Sequence, residues 1–345
     1  MKTIKVGIIG YGLSGRIFHG LILKEVAGFE VISVCTKDVE KQRQAKQDFP
    51  KVKITETPED MIADSEVELV IVSTPNTSHA DLAESAMRAG KHVIVEKPFT
   101  VTLEEAVRLM VISQETGQLI SVYQNRRFDS DFKTLQKIIE SGEVGKIVEF
   151  ESHFDRFRPE KKINAWREEA HPGSGTLYDL GSHLIDQALV LFGLPDEVYG
   201  DFASQRNGVV EDQFEIILYY NQLKVTLKAG NLVKEPLPRF ILLGDEGAFV
   251  KYGLDVQEGA LREGLIPTDE MWGVEPESQY GVLNTQTDRK VIKSEKGDYR
   301  TFYRAIFEAI SEGKSLPVTA EEGANVIKII EAVILSQREK RRIEL

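Results

Sequence analysis

Apolar positions in this chain follow one rhythm up to about residue 122 and another beyond it. In the first stretch short apolar runs are separated by longer amphipathic ones. Ile4-Lys5-Val6-Gly7-Ile8-Ile9 reads as a strand, and further strands are expected over 31–35, 69–72, 92–95 and 119–122. Helices are expected between them: from the glycine-rich turn to near Gly28, over 38–48, over 78–89 closed by Gly90, and over 102–116 closed by Gly117. Thr102 followed three residues later by Glu105 is a capping-box pattern. Runs such as Leu69-Val70-Ile71-Val72 suit strands buried on both faces, and strands alternating with helices predict a parallel, doubly wound sheet. Residues 1–122 are therefore expected to form a Rossmann domain, and the G-x-G-x-x-G turn at Gly10, Gly12 and Gly15 between its first strand and first helix makes it a dinucleotide-binding one.

After residue 122 the texture changes. Tyr123-Gln124-Asn125-Arg126-Arg127-Phe128 is polar and basic, and fits either an exposed linker or a segment facing substrate and phosphate. A helix over 131–141 is stopped by Gly142. Strand-like runs then follow at 146–157, 197–205, 212–220, 223–229, 240–243 and 248–252, with no helix between most of them. That order predicts a large mixed, mostly antiparallel sheet in a second, C-terminal α/β domain over 123–345. Near the end, Thr319 with Glu322 opens a helix whose Val326, Ile327, Ile330, Val333 and Ile334 recur at helical spacing, and Arg338-Glu339-Lys340-Arg341-Arg342 suits its C-terminal dipole.

Composition narrows the function. The 345 residues carry a net charge of −12 and no long basic run, which excludes a nucleic-acid partner on electrostatic grounds. The single cysteine, Cys35, permits no intrachain disulfide and fits a reducing compartment. The first residues run directly into a strand, unlike a signal peptide, and no apolar run reaches membrane-spanning length. A soluble cytoplasmic protein without a membrane partner is expected, and no metal site is read.

Three places carry candidate chemistry. Gly10-Tyr11-Gly12-Leu13-Ser14-Gly15 is G-x-G-x-x-G between a first strand and a first helix. Gly10 permits the turn, Gly12 lets a pyrophosphate reach the backbone, Gly15 lets the helix pack closely, and the helix N-terminus favours the anion. At the end of the second strand, where an NAD site wants a carboxylate for the ribose 2′-hydroxyl, the chain reads Cys35-Thr36-Lys37. A hydroxyl and a cation suit a 2′-phosphate, so NADP is expected over NAD; Asp38, slightly late, could still serve NAD, and Lys37 could simply begin a solvated helix. Ser73, Thr74, Pro75 and Asn76 form a polar loop suited to the nicotinamide side. Thr77 or Ser78 is expected to cap the next helix, with His79 in its first turn beside the cofactor. His92 reads as a core histidine, and His19 suggests no role.

The second place is Glu96-Lys97-Pro98, where the strand 92–95 ends. Open α/β sheets keep their chemistry beyond the carboxyl ends of strands, and the proline biases Lys97 toward an extended backbone. The third is Tyr178-Asp179-Leu180-Gly181-Ser182-His183, after a flexible Gly173-Ser174-Gly175. On a helix start Asp179 and His183 share a face; a histidine there can take a hydroxyl proton, and an acid beside it can orient it or bind a substrate hydroxyl. Alone, this pattern is equally a capped helix with a packed histidine.

Together the glycine-rich turn, Glu96-Lys97-Pro98 and Asp179-x-x-x-His183 resemble the glucose-fructose oxidoreductase/inositol dehydrogenase (Gfo/Idh/MocA) family over the whole chain. Asn125-Arg126-Arg127-Phe128-Asp129-Ser130-Asp131-Phe132, Phe154-Asp155-Arg156-Phe157-Arg158-Pro159, Trp166-Arg167-Glu168 and Lys251-Tyr252-Gly253-Leu254-Asp255 are similar to its bacterial NADP-dependent scyllo-inositol dehydrogenases. The resemblance implies oxidation of a cyclitol or sugar hydroxyl, or the reverse reduction, with scyllo-inositol the first candidate. It implies that Lys97 bonds the reacting oxygen, that His183 is the general acid/base and that Asp179 binds a neighbouring hydroxyl. Glu96, Asn125 and Arg127 would lie by the cofactor, Arg156, Trp166 and Arg167 by the substrate. It also implies a Lys-Pro bond that is often cis, and a homodimer or homotetramer joined through the open sheet. A dihydrodiol or biliverdin-type reductase and a non-catalytic NADP sensor are the alternatives on this fold; neither needs the Lys97/His183/Asp179 set.

Overall fold

The computed structural model describes residues 3–161, 166–268 and 270–345. The expectation for the extreme N-terminus thus falls partly outside them, at Met1 and Lys2. Two compact units result, one formed by Met1–Asn125, Gln257–Trp272 and Asp298–Ala324, the other by Arg126–Val256, Gly273–Gly297 and Asn325–Leu345.

Among the described residues, the first unit holds six strands: β1 (Ile4–Ile9), β2 (Phe29–Cys35), β3 (Lys53–Thr55), β4 (Leu69–Val72), β5 (His92–Glu96) and β6 (Ile120–Tyr123). They lie in the order β3-β2-β1-β4-β5-β6 and pair only in parallel, which is the doubly wound Rossmann arrangement. Every residue of β4 and β6 is buried, as a sheet covered on both faces requires. Strand order reverses between β1 and β4, so the loops that leave these two strands flank the crevice where such sheets bind ligands.

Local chemistry explains most element ends. The Thr102 capping box forms in both directions, and Gly117 closes that helix at φ 69°. Helix Val39–Asp48 starts one residue later than expected because Asp38 is its cap, accepting from the amides of Glu40 and Lys41. The expectation for Ser78 fails: it occupies the cap position of His79–Arg88, but its hydroxyl bonds Thr74 Oγ1 and the Pro75 carbonyl instead. The helix after the glycine-rich turn also departs from expectation. It is π-wound over Ser14–Gly20, is α-helical only at Leu21–Leu23, and ends short of Gly28. Strand β3 and helix Pro58–Ile62 give too little apolar pattern to be foreseen; Thr57 caps the latter, with Pro58 in its first turn.

The second unit is built on a nine-stranded sheet among the described residues. Its strands are β7 (Ile147–His153), β8 (Glu197–Ala203), β9 (Gln213–Tyr219), β10 (Lys224–Gly230), β11 (Phe240–Gly244), β12 (Gly247–Lys251), β13 (Gly281–Thr285), β14 (Arg289–Ile292) and β15 (Ile343–Glu344). The order is β14-β13-β12-β11-β7-β10-β9-β8-β15. Only β7 and β10 pair in parallel, so the sheet is mixed and mostly antiparallel as expected. Burial alternates: in β9, Phe214, Ile216 and Leu218 are buried while Gln213, Glu215, Ile217 and Tyr219 are part-exposed. The buried face takes helices. Phe150 of β7 packs on Phe192 of helix Ser182–Phe192 at 5.4 Å, and Gly200 of β8 lies so close to Val333 that a Cβ would come within 3.0 Å of the valine's Cβ. The expected run 146–157 is shortened, since β7 stops at His153 and Phe157 makes only an isolated bridge to Leu232.

Candidate functional site

In the first unit the glycine-rich turn can be tested position by position. Gly10 has φ 89°, and a Cβ there would lie 2.3 Å from the Ser73 carbonyl oxygen; one on Gly15 would lie 2.0 Å from the Gly10 carbonyl oxygen. These two glycines are required by the protein's own packing. A Cβ on Gly12 would meet nothing within 4 Å. No protein atom demands a glycine there, and its open backbone fits the close approach of a pyrophosphate. Leu13 is exposed beside it, whereas the Tyr11 ring is buried and its hydroxyl donates to Asp48 Oδ2 at 2.9 Å. Tyr11 can therefore offer a ligand only its main chain.

At the end of β2, Thr36 is part-exposed and Lys37 exposed. Asp38, the acid that could have served a ribose hydroxyl, is occupied. Its carboxylate takes the Glu40 and Lys41 amides at 3.0 and 3.2 Å and the Lys41 ammonium at 3.3 Å. The Lys41 backbone bond, above all, holds its pKa below the usual range. Beyond β4, Ser73 and Thr74 are part-exposed, Pro75 is exposed and Asn76 buried. His79, expected beside the cofactor, is fully buried, with Nδ1 3.0 Å from the Pro98 carbonyl and Nε2 3.0 Å from the Thr74 carbonyl. Burial pushes its pKa down. Its place is as a staple between the two loops, not as a lining residue.

The Lys97-Pro98 peptide is cis, as the family resemblance implied. Lys97 is part-exposed at the end of β5, while Glu96 is buried. One Glu96 oxygen accepts from Ser14 Oγ and from His19 Nε2, the latter at 2.9 Å, and the other accepts from the Lys97 amide at 3.0 Å. Burial alone would raise the Glu96 pKa. The bonds from His19 and Ser14 and the nearby charge of Lys97 outweigh it and bring the carboxyl to about 2. His19 in turn meets the Tyr303 hydroxyl through Nδ1.

The second unit carries the other group. Leu177–Gly181 is again π-wound and leads into helix Ser182–Phe192. Asp179 is part-exposed, with Arg167 Nε 3.2 Å from one of its oxygens and Arg156 Nη1 3.8 Å from the other. Arg167 stacks on Trp166 at 4.7 Å and Arg156 on Phe154 at 5.0 Å, so aromatic faces hold both cations. His183 is 5% exposed, in the first turn of the α-helix that follows that winding. Within this unit, therefore, Arg156, Trp166, Arg167 and Asp179 lie together. Arg127 forms a two-pronged pair with Asp186, at 2.8 and 2.7 Å, which commits its guanidinium to the helix that bears His183. The segment around it is no exposed linker: Gln124, Asn125 and Arg126 are all buried.

Some contributing residues were not foreseen. His19 and Ser14 are five apart, a spacing that shares a face only in a π-helix, and Tyr303 lies 284 positions from its partner. Arg206 pins the segment before Trp166 by donating to the Arg158 and Glu160 carbonyls while pairing with Asp212 at 2.9 Å. Neither pattern announces itself in a sequence.

A Rossmann sheet with a glycine turn, coupled to a unit built on a broad mixed sheet, defines a nucleotide-dependent oxidoreductase. The chain belongs to the Gfo/Idh/MocA family: its "oxidoreductase family, NAD-binding Rossmann fold" profile matches residues 4–124, and its "oxidoreductase family, C-terminal alpha/beta domain" profile matches residues 136–345. The chain is 44% identical to scyllo-inositol 2-dehydrogenase (NADP(+)) IolW of Bacillus subtilis, covering 100% of this chain and 97% of that protein. It is 39% identical to the uncharacterized oxidoreductase YdgJ of Escherichia coli, over 98% and 97% of the two chains. Among solved structures, YvaA of Bacillus subtilis superposes with a TM-score of 0.96 at 44% identity, over 100% of this chain and 99% of that one. No helix among the described residues is long and apolar enough to cross a membrane.

Proposed function

We propose that this enzyme moves a hydride between NADP(H) and a secondary hydroxyl or ketone of a cyclitol or sugar, with scyllo-inositol and its ketone as the first substrates to try. The observation that carries the reading is the presence of Lys97, Asp179 and His183 in a chain that is 44% identical to the scyllo-inositol 2-dehydrogenase of Bacillus subtilis over its full length. In this reading residues 1–122 bind the nucleotide and residues 123–345 bind the polyol.

Gly10, Gly12, Leu13 and Gly15 would hold the pyrophosphate, Thr36 and Lys37 the 2′-phosphate, and Ser73, Thr74, Pro75 and Asn76 the nicotinamide ribose, with Asn125 and Arg127 at the edge. The engagement of Asp38 as a helix cap supports NADP over NAD, because it leaves the Lys37 ammonium and the Thr36 hydroxyl, which accepts from the Asp38 amide at 3.3 Å and can still donate, to meet a phosphate. Bound nicotinamide supplies the hydride acceptor or donor. Lys97 donates a hydrogen bond to the reacting oxygen and stabilises the charge that develops on it, worth about 3–4 kcal/mol for one well-placed donor. His183 takes the hydroxyl proton in oxidation and returns it in reduction. Asp179, flanked by Arg156 and Arg167, fixes neighbouring hydroxyls, and Trp166 gives the ring an apolar wall.

Association belongs to the same reading. The part-exposed sheet face carries Tyr199, Ile217, Ile241, Leu243, Val250 and Val282, and a contiguous apolar face of this kind marks an association surface. A homodimer or homotetramer would cover it. The decisive assay is a panel of inositols and hexoses with NADP and NAD, followed by nicotinamide absorbance. Turnover of scyllo-inositol that favours NADP, with the preference eroded in Lys37→Ala, is the expected result. Equal or better efficiency with NAD would refute the cofactor assignment, and inertness toward every polyol would refute the reaction.

A further inference from the structure

We propose that His19 is a positioning residue for Lys97, acting through the Glu96 carboxylate. The proposal rests on the reading above that Lys97 serves the reacting oxygen. Its evidence lies wholly within the first unit. Glu96 uses its two oxygens for different purposes: Oε1 receives the Ser14 hydroxyl and His19 Nε2, while Oε2 receives the Lys97 amide. One carboxylate thus ties the helix that follows the glycine turn to the backbone of Lys97. The π winding is what permits this. Its hydrogen bonds join residues five apart, so Ser14 and His19 stack on one face and reach the same oxygen. In an α-helix the two side chains would diverge.

His19 is in turn held from behind. Its ring is fully buried and tilted against Tyr123 at 4.4 Å, and the Tyr303 hydroxyl meets Nδ1. An ionised carboxylate only accepts, so Nε2 must carry the proton in that bond. Tyr303 is itself fully buried, and desolvation keeps its hydroxyl protonated. Tyr303, His19 and Glu96 therefore form a continuous hydrogen-bonded chain that ends on the backbone of the lysine. A chain buried at every link has no access to substrate, which is why His19 positions and does not catalyse.

The test uses the full chain labelled with ¹⁵N-lysine, with the Lys97 amide identified by its loss in Lys97→Arg. An amide bonded to a carboxylate resonates downfield. In His19→Leu that signal should move upfield while other lysine amides hold. His19→Gln, whose amide can still donate to Glu96, should restore it. Tyr303→Phe should give the same displacement at smaller size, and it decides the matter if His19→Leu does not fold. In parallel, kcat of His19→Leu should fall by up to about 10²-fold, the loss expected for misplacement of a reacting group. Fluorescence-detected NADPH binding should stay near wild type, and His19→Gln should recover most of the turnover. A Lys97 amide that stays in place in the folded variants overturns the proposal. So does a shift shared by all lysine amides in His19→Leu and His19→Gln alike. Wild-type protein inert toward every polyol would sink the functional reading instead, and the amide signal would still decide this one.

Discussion

The two units solve opposite problems with their sheets. In the first, β4 and β6 are buried along their whole length, and the sheet's useful part is its carboxyl edge, where Gly10, Ser73 and Lys97 emerge. In the second, β9 alternates buried and part-exposed residues, and one face takes helices while the described residues of the other are part-exposed. A sheet covered on both faces can act only at its ends, which suits a cofactor laid across them. A sheet with one free face has a surface to offer a partner. The π winding recurs in both units, at Ser14–Gly20, which bonds Glu96 beside Lys97, and at Leu177–Gly181, which bears Asp179 and leads into the helix of His183; such turns are often found at functional sites.

The largest expected effect probes whether each unit gives one half of the reaction. His183→Ala should lower turnover by about 10²–10⁴-fold, the usual worth of general acid–base assistance, and should erase an ionisation from the wild-type pH profile. Lys97→Ala should be at least as damaging, with NADP binding nearly intact in both. Steady-state kinetics alongside nucleotide binding separates these outcomes.

A smaller effect sharpens the contrast through pH. The Glu96 carboxyl is lowered from 4.5 to about 2, so its stabilisation is present above about pH 4.5 and is lost as pH falls toward 2. By linkage this amounts to about 3 kcal/mol, and Glu96→Gln should remove that part of the acid dependence in urea titrations. In the second unit His153 behaves in the opposite sense. Burial lowers its pKa, but the bonds to Asp155 and Glu151 outweigh that and raise it. Its contribution is full below the usual histidine range and fades as pH rises through the raised value, so His153→Gln should flatten stability on the alkaline side.

The smallest effect on folding tests the open face. Val250→Lys, on the part-exposed side of β12, should change unfolding free energy by no more than about 0.5 kcal/mol. It should nonetheless turn the proposed oligomer into a monomer in light scattering. A wild type that is already monomeric at micromolar concentration would remove the contrast between the sheets.

How much of this was legible in the sequence depends on how local each signal is. The first sheet was readable because unbroken runs such as Leu69-Val70-Ile71-Val72 can only be buried, and because the glycine turn, the Thr102–Glu105 box and Gly117 are contiguous. β13 and β14 escaped notice because residues 281–292 mix Asn, Thr, Asp, Arg and Lys with few apolar positions, and their strand state comes from pairing with β12. Helix Arg300–Glu312 was also missed, although Phe302, Tyr303, Ile306 and Ala309 are its buried face. For the site, Lys97, Asp179 and His183 stood out because each lies in a short recognisable pattern. The Glu96–His19–Tyr303 chain did not, since it joins residues brought together only by folding. The reading of Thr36 and Lys37 turned on Asp38, and only its bonds to Glu40 and Lys41 reveal that its carboxylate caps a helix.

The central claim is that Lys97 and His183 serve one hydroxyl, and a double-mutant cycle in kcat/KM tests it most directly. Groups that act as a unit are grossly non-additive, so the Lys97→Ala/His183→Ala variant should be little worse than the poorer single variant. If the two losses instead multiply in folded, NADP-binding proteins, the residues act independently and the account of a shared hydroxyl is wrong.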